Sequence, residues 1–225
     1  MTIIDNYRNL PIGKYLEIQE LSRNESIDAL DQQVKTIAIL TGLSEDEVLR
    51  LPIMEYKSLA AKTKFLEKDY YGKLQVAKSY SLNGMELVPV KDITKITTAQ
   101  YVDFQTFSKE GDKFFVETLS TLLVPKGKHY NEGYEITDVH KAIRENLSVA
   151  DVLSLSAFFL TKWVKSIKDS QTFLDKEIRK IPNKLMREKL MKQVQEMRSK
   201  INGVGSQMLT MSLRPAGAVG MMFGR

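Results

Sequence analysis

The side chains able to do chemistry are few and widely spaced. Two histidines, His129 and His140, stand eleven residues apart; there is no cysteine, and neither histidine has a His-x-x-x-His or His-Glu companion. Zinc sites and metallohydrolases rely on closely spaced nitrogen, sulfur and carboxylate ligands, so this pattern predicts no metal. Without cysteine there are no disulfides, thiolate ligands or thiol nucleophiles, a usage that suits a reducing cytoplasm. His129 lies between Lys128 and Tyr130 with no serine elbow nearby, and is read as an exposed loop residue. Gly203-Val204-Gly205-Ser206 has no preceding strand and no following Gly-Lys-Ser/Thr, so it is not a phosphate-binding loop. Glu45, Asp46 and Glu47 fall in the first turn of a predicted helix, where carboxylates complement the helix dipole. The expectation is a non-enzymatic protein with no catalytic residue, no metal and no cofactor.

Charge is the more informative pattern. The net +5 conceals twelve Lys or Arg against five Asp or Glu in residues 162–200, two more arginines in 201–225, and nineteen against twenty-three in residues 1–161. A helix is predicted from about Asn183 to Asn202, with Met186, Leu190, Val194, Met197 and Ile201 as an apolar stripe. Lys184, Arg187, Lys189, Lys192, Arg198 and Lys200 surround that stripe. Such a helix can bind an acidic protein, an anionic membrane or DNA phosphates, or it can pack its stripe on its own core and leave the cations in water. Unbranched methionine repacks against varied surfaces, which favours a protein partner. Residues 203–225 are rich in glycine and methionine and end in Met221, Met222 and Phe223, a composition expected to dock on a partner or remain flexible. These stripe residues, the four cations Lys184 to Lys192 and the terminal Met221, Met222 and Phe223 form the candidate partner-binding set.

The elements that must position these residues follow from periodicity. Residues 1–25, interrupted by Pro11 and Gly13, are expected to form an irregular arm ordered only by packing. Ser26 is read as the cap of a helix in which Ile27, Leu30, Val34, Ile37, Ala38 and Leu40 point inward and which ends at Gly42. Ser44 and Glu47 have capping-box spacing, and Pro52 stops the short helix they open. A helix from about Met54 should bury Leu59, Ala60, Phe65 and Leu66 and leave Lys57, Lys62, Lys64 and Lys68 solvated.

The period then changes to two. Leu74, Val76, Tyr80, Leu82, Leu87, Val88 and Val90 are strand material, and Asn83-Gly84 suits a type I′ turn, which predicts a hairpin at about 74–90. Pro89 confines its strand to an edge or an end, and so small a hairpin must lie on the helices. Helices are predicted over 97–109, capped by Thr97 or Thr98, and over 112–124, with Tyr101, Phe104 and Phe107 as core rather than a base-stacking platform. After a loop over 125–133, Thr137 is read as the cap of a helix over 138–145. Ser148 is read as the cap of the central core helix, with Val152, Leu155, Phe159, Trp163, Val164 and Ile167 within it. Its apolar stretch, Val149 to Val164, is shorter than the roughly 20 residues of a membrane span and contains Asp151 and Lys162. Met1 to Arg8 lacks a signal-peptide pattern. The expected fold is mainly α: a helical bundle-like domain over 26–181 with one small β-hairpin, an extended basic amphipathic helix over 182–202, and a tail over 203–225.

The hairpin Tyr80-Ser81-Leu82-Asn83-Gly84-Met85-Glu86-Leu87, the run from Lys95 to Gln105 and the run from Leu122 to Tyr134 resemble a group of structural or assembly proteins of bacteriophages infecting Bacteroides-type bacteria. With Leu43 to Phe65, the same region is similar to tail assembly chaperones, and the likeness spans about Leu30 to Ile167. The resemblance implies work by contact with other phage proteins (tail, portal or capsid components) in the host cytoplasm during assembly, and it supplies no catalytic residue. The strongly basic end and the Gly/Met tail depart from the chaperone pattern. A virion structural or cargo protein, packaged in capsid or tail and ejected with or held near the genome, therefore stays open, as do non-specific DNA contact and a homo-oligomer.

Overall fold

The structure, a computed structural model, describes residues 2–68, 70, 72–109, 115–180, 182, 184, 186, 188 and 190–192. Its first elements are set by their caps. Helix α1 (Ile12–Arg23) begins after Pro11, and α2 (Ala29–Thr41) begins at Asp28, whose carboxylate accepts from Leu30 N and Asp31 N. Asp28, not Ser26, is thus the cap of α2; Ser26 instead donates to Asn24 Oδ1 at 2.6 Å in the turn before it. Gly42 closes α2 with a φ of 80°. Helix α3 (Glu45–Leu49) opens on the expected capping box: Glu47 N donates to Ser44 Oγ at 3.3 Å, and Ser44 N donates to Glu47 Oε2 at 2.8 Å. The bond from Ser44 N, together with one from Ser44 Oγ to the same carboxylate oxygen at 2.8 Å, holds the Glu47 carboxyl below its ordinary range. Pro52 starts α4 (Ile53–Thr63), which runs into a 3-10 turn, η1 (Lys64–Glu67), burying Leu59 and Leu66 and leaving Lys57, Lys62, Lys64 and Lys68 exposed.

The expected irregular arm is instead an integral part of the core. Ile3, Tyr7, Leu10, Ile12 and Ile18 are buried, and Pro11 bridges Ser148 in antiparallel fashion. Ile12 N donates to Leu147 O at 2.8 Å, Val149 N to Leu10 O at 2.9 Å and Ala150 N to Tyr7 O at 3.1 Å. Tyr7 also donates to Lys68 O at 3.1 Å and meets the Phe65 ring edge-on, with centroids 5.1 Å apart. Pairing with a segment more than 130 residues away, invisible to local periodicity, orders the arm.

The hairpin forms as expected but is shorter and has a third strand. Strands β1 (Tyr80–Leu82) and β2 (Met85–Pro89) pair with Tyr80 opposite Leu87 and Leu82 opposite Met85 across Asn83 and Gly84, whose φ values are 47° and 77°. Leu74 and Val76 lie outside any strand; Leu74 is exposed, and Val76 is partly buried against the core. After the 3-10 turn η2 (Ile93–Lys95), helices α5 (Thr98–Lys109) and α6 (Phe115–Ser120) follow. Leu123 and Val124, expected at the end of a helix, form strand β3 (Leu123–Pro125), which pairs antiparallel with β2 and places Leu87 opposite Pro125 and Pro89 opposite Leu123. Strand β2 is therefore central, and Pro89 occupies its end, where a missing donor does least harm.

Thr97 caps α5, its Oγ1 accepting from Gln100 N at 3.2 Å, and the buried Gln100 amide donates to Thr121 O beyond α6. The turn at the hairpin tip rests on α7 (Ile136–Asn146): Asn146 Nδ2 donates to Asn83 Oδ1 at 2.9 Å, and Asn83 Nδ2 donates to Glu145 Oε2 at 3.2 Å. Glu135 rather than Thr137 holds the N-cap position of α7. Because an added Cβ at Gly84 would meet nothing within 4 Å, Gly84→Ala is expected to cost about 1–2 kcal/mol through the left-handed conformation, measured by urea denaturation.

Ser148 caps α8 (Val149–Arg179), accepting from Asp151 N at 3.1 Å. At 31 residues this helix is about 46 Å long. Its first half is the expected core helix, burying Val149, Val152, Leu155 and Phe159, and it meets α1, the η2 turn and the arm. Among the described residues beyond Trp163, Val164, Phe173 and Leu174 are exposed, whereas Ile178 near the end of the helix is buried. Val164, expected inside, therefore lies on the surface. The architecture is mainly α with a small antiparallel sheet.

Candidate functional site

Of the candidate partner-binding residues, Lys184, Met186, Leu190 and Lys192 are described, and all four are helical. Met186 is 55% exposed, Lys184 and Lys192 are exposed, and Leu190 is half-buried. Arg187, Lys189, Val194, Met197, Ile201, Met221, Met222 and Phe223 lie outside the described residues, as does the rest of 203–225. In the second half of α8, Lys165, Phe173, Leu174, Lys176 and Arg179 are exposed and Ile178 is buried. The basic end of the chain thus begins on α8 itself.

A second surface was not foreseen. Leu30, Leu49, Ile53 and Met54 are 60–75% exposed. Tyr56 Oη donates to Gln33 Oε1 at 2.7 Å, which sets the first turn of α4 against the first half of α2. The joint between α3 and α4, carrying Leu49, Ile53 and Met54, therefore lies beside the α2 end that carries Leu30. Leu30 fits the inward stripe of its helix by spacing, yet it lies in the first turn and is exposed, whereas Val34 and Ile37 further along are buried. Glu25, Asp28, Asp31, Glu45, Asp46, Glu47 and Glu55 are all exposed in this region. Among the described residues none of the seven forms an ion pair within 4 Å. Apolar side chains standing in an acidic field can make contact with a partner of opposite charge.

The aromatic residues divide between core and surface. Phe104 is buried and lies 5.3 Å from Trp163 between ring centroids; Tyr101, expected in the core, is exposed and stacks on Trp163 at 6.4 Å with planes 11° apart. One face of Tyr101 is occupied by this contact. In the loop after β3, Tyr130 is buried and donates to Asp103 Oδ2 at 2.9 Å; burial, then that carboxylate, push its hydroxyl pKa up.

His129 is exposed, as read from sequence, whereas His140 faces inward on α7. Its ring meets Phe107 edge-on at 6.5 Å, and both His140 Nε2 and Glu117 Oε2 are buried without a hydrogen-bond partner. Burial lowers the His140 pKa from its ordinary 6.5; Glu117 opposes that shift and Arg144 reinforces it. The neutral ring is the folded form, so its stability contribution is complete above about pH 6.5 and is lost as pH falls from there toward the folded pKa. His140→Gln is expected to flatten this part of the stability profile between about pH 7 and 5, measured as urea midpoints against pH.

Among the described residues no group of three or more His, Cys, Asp or Glu is placed to hold a metal ion, and no helix is long and apolar enough to cross a membrane. The fold and these surfaces define a mainly helical protein presenting exposed apolar side chains among charges of opposite sign at two places in the chain. Compared with protein-family models, curated proteins and solved structures, the chain gives no match.

Proposed function

We propose that this chain is a non-enzymatic bacteriophage morphogenesis protein that works by protein–protein contact, in the manner of a tail assembly chaperone, in the host cytoplasm during assembly. The observation that carries this reading is the exposed end of the α2–α4 unit, where Leu30, Leu49, Ile53 and Met54 stand among exposed carboxylates. An apolar patch with a charged rim suits recognition of another protein. The phage assignment rests on the likeness of residues 80–134 to phage assembly proteins, and the partners it supports are tail, portal or capsid components. A chaperone leaves before the particle is finished, so mass spectrometry of purified virions is expected to find none of this chain. Stoichiometric amounts in mature particles would refute the chaperone role.

The basic end favours a second reading, a virion structural or cargo protein held near the genome, because twelve Lys or Arg within 162–200 match a polyanion. On that reading, retention on DNA falls steeply between roughly 50 and 200 mM salt, because releasing condensed counterions gains less entropy as the bulk salt rises. A flat response would exclude phosphate contact by Lys184 to Lys200.

A further inference from the structure

We propose that the acidic apolar patch at the end of the α2–α4 unit takes a basic amphipathic helix of another protein, one whose apolar stripe is flanked by lysine or arginine. The inference rests on the reading of this patch as a protein-contact surface and names the chemistry of what it contacts. Leu30, Leu49, Ile53 and Met54 are 60–75% exposed in the folded chain. Residues 24–56, which carry them, hold seven acidic and two basic side chains. All seven acids are exposed; Lys35 is half-buried, and Arg50 lies near enough to Glu47 to act on its carboxyl. Asp28 and Glu47 are engaged as helix caps. Glu25, Asp31, Glu45, Asp46 and Glu55 have no such task and form the acidic rim.

Charge selects the occupant. These carboxylates repel phosphate, so nucleic acid and an anionic bilayer are the wrong ligands for this face. Pairing the patch with itself across a two-fold axis would set its acids against one another. The whole chain carries +5, so a cationic segment finds its attraction locally, at this end of the molecule. A basic amphipathic helix uses both parts of the patch. Its apolar stripe covers the four exposed side chains, while lysine stems lie along their edge and carry the ammonium groups to the rim. The opposed charges also speed encounter and fix the orientation of the bound helix.

The test titrates the full chain into a fluorescein-labelled amphipathic helical peptide of leucine and lysine, read by anisotropy, beside a matched peptide of leucine and glutamate. Saturable binding of the lysine peptide alone is expected. Ile53→Gln with Met54→Gln, both exposed and so compatible with folding, should weaken it about tenfold or more with an unchanged circular dichroism spectrum. Glu45→Gln with Asp46→Asn should weaken it several-fold and flatten its dependence on salt. No saturable binding, equal binding of the glutamate peptide, or variants that bind like the wild type would overturn the proposal. So would either of two other occupants. A wild type that sediments as an oligomer, and that Ile53→Gln with Met54→Gln converts to monomer, would place a second copy on the patch. Carbodiimide links from Lys184 or Lys192 to Glu45 or Asp46 within a monomer would place the chain's own end there. The chaperone role fails separately: this chain in mature virions would end that role and leave peptide binding intact, whereas loss of peptide binding leaves the virion result unchanged.

Discussion

Leu10→Ala is expected to destabilise the protein by about 2–5 kcal/mol, the range for truncating a fully buried leucine whose surroundings cannot collapse into the space. Leu10 is 0% exposed, and the chain on either side of it is fixed. Its own carbonyl accepts from Val149 N, the next residue bridges Ser148, and Ile12 N donates to Leu147 O. These bonds hold the backbone in place on both sides of the missing side chain, so a cavity is left rather than filled. The cost combines lost transfer free energy with lost dispersion contacts along the cavity wall. Urea denaturation should show a lower midpoint with an unchanged slope. A change below about 0.5 kcal/mol, typical of a surface site, would mean that residues 2–11 are an appendage rather than core.

That experiment also marks the boundary of what local sequence can specify. Asp28, Ser44, Thr97 and Ser148 start their helices through side-chain bonds reaching two or three residues, and three of these four caps are legible without a fold. The fourth, Asp28, competes with Ser26 two residues earlier, and only the observed backbone decides between two good capping residues. Asn83-Gly84 is equally local, since positive φ at both positions selects the turn. The arm and β3 are different. Leu122-Leu123-Val124 continues the apolar pattern of α6, and a short apolar run carries no period that separates helix from strand. Pairing with β2, more than thirty residues earlier, settles it, with Val88 opposite Val124. Pro11 and Gly13 look like interruptions until Leu147 and Ser148 are placed beside them.

The candidate site divides in the same way. Charge counts identify the basic third of the chain, but the exposure of Leu30, Leu49, Ile53 and Met54 depends on how α2, α3 and α4 pack together. That packing choice has no local signature. Seven acids against two bases in residues 24–56 was the available signal, and it gains meaning only when four apolar side chains are found exposed among them.

Gly13→Ala is the second substitution expected to have a large effect, and its sign is set by competition between two effects. Glycine within a helix costs about 1 kcal/mol relative to alanine, so propensity considered by itself predicts stabilisation. Packing opposes this. A Cβ on Gly13 would lie 2.6 Å from Arg144 O and 2.7 Å from Arg144 Cγ. The side-chain carbon can move, but the carbonyl belongs to the last turn of α7, anchored by the buried Ile143 and by Leu147 N donating to Ile143 O at 3.0 Å. Helix α1 must therefore move outward, lengthening the bond from Ile12 N to Leu147 O and opening the contact of Ile12 and Leu10 with the core. Overpacking of this kind costs about 1–3 kcal/mol and exceeds the propensity gain. The expected result is net destabilisation, larger for Gly13→Val, seen as lower urea midpoints together with faster amide exchange at Ile12 and Val149. Stabilisation by Gly13→Ala would show that α1 is not held against α7, and it would refute the close approach of the two helices as the reason for glycine at this position.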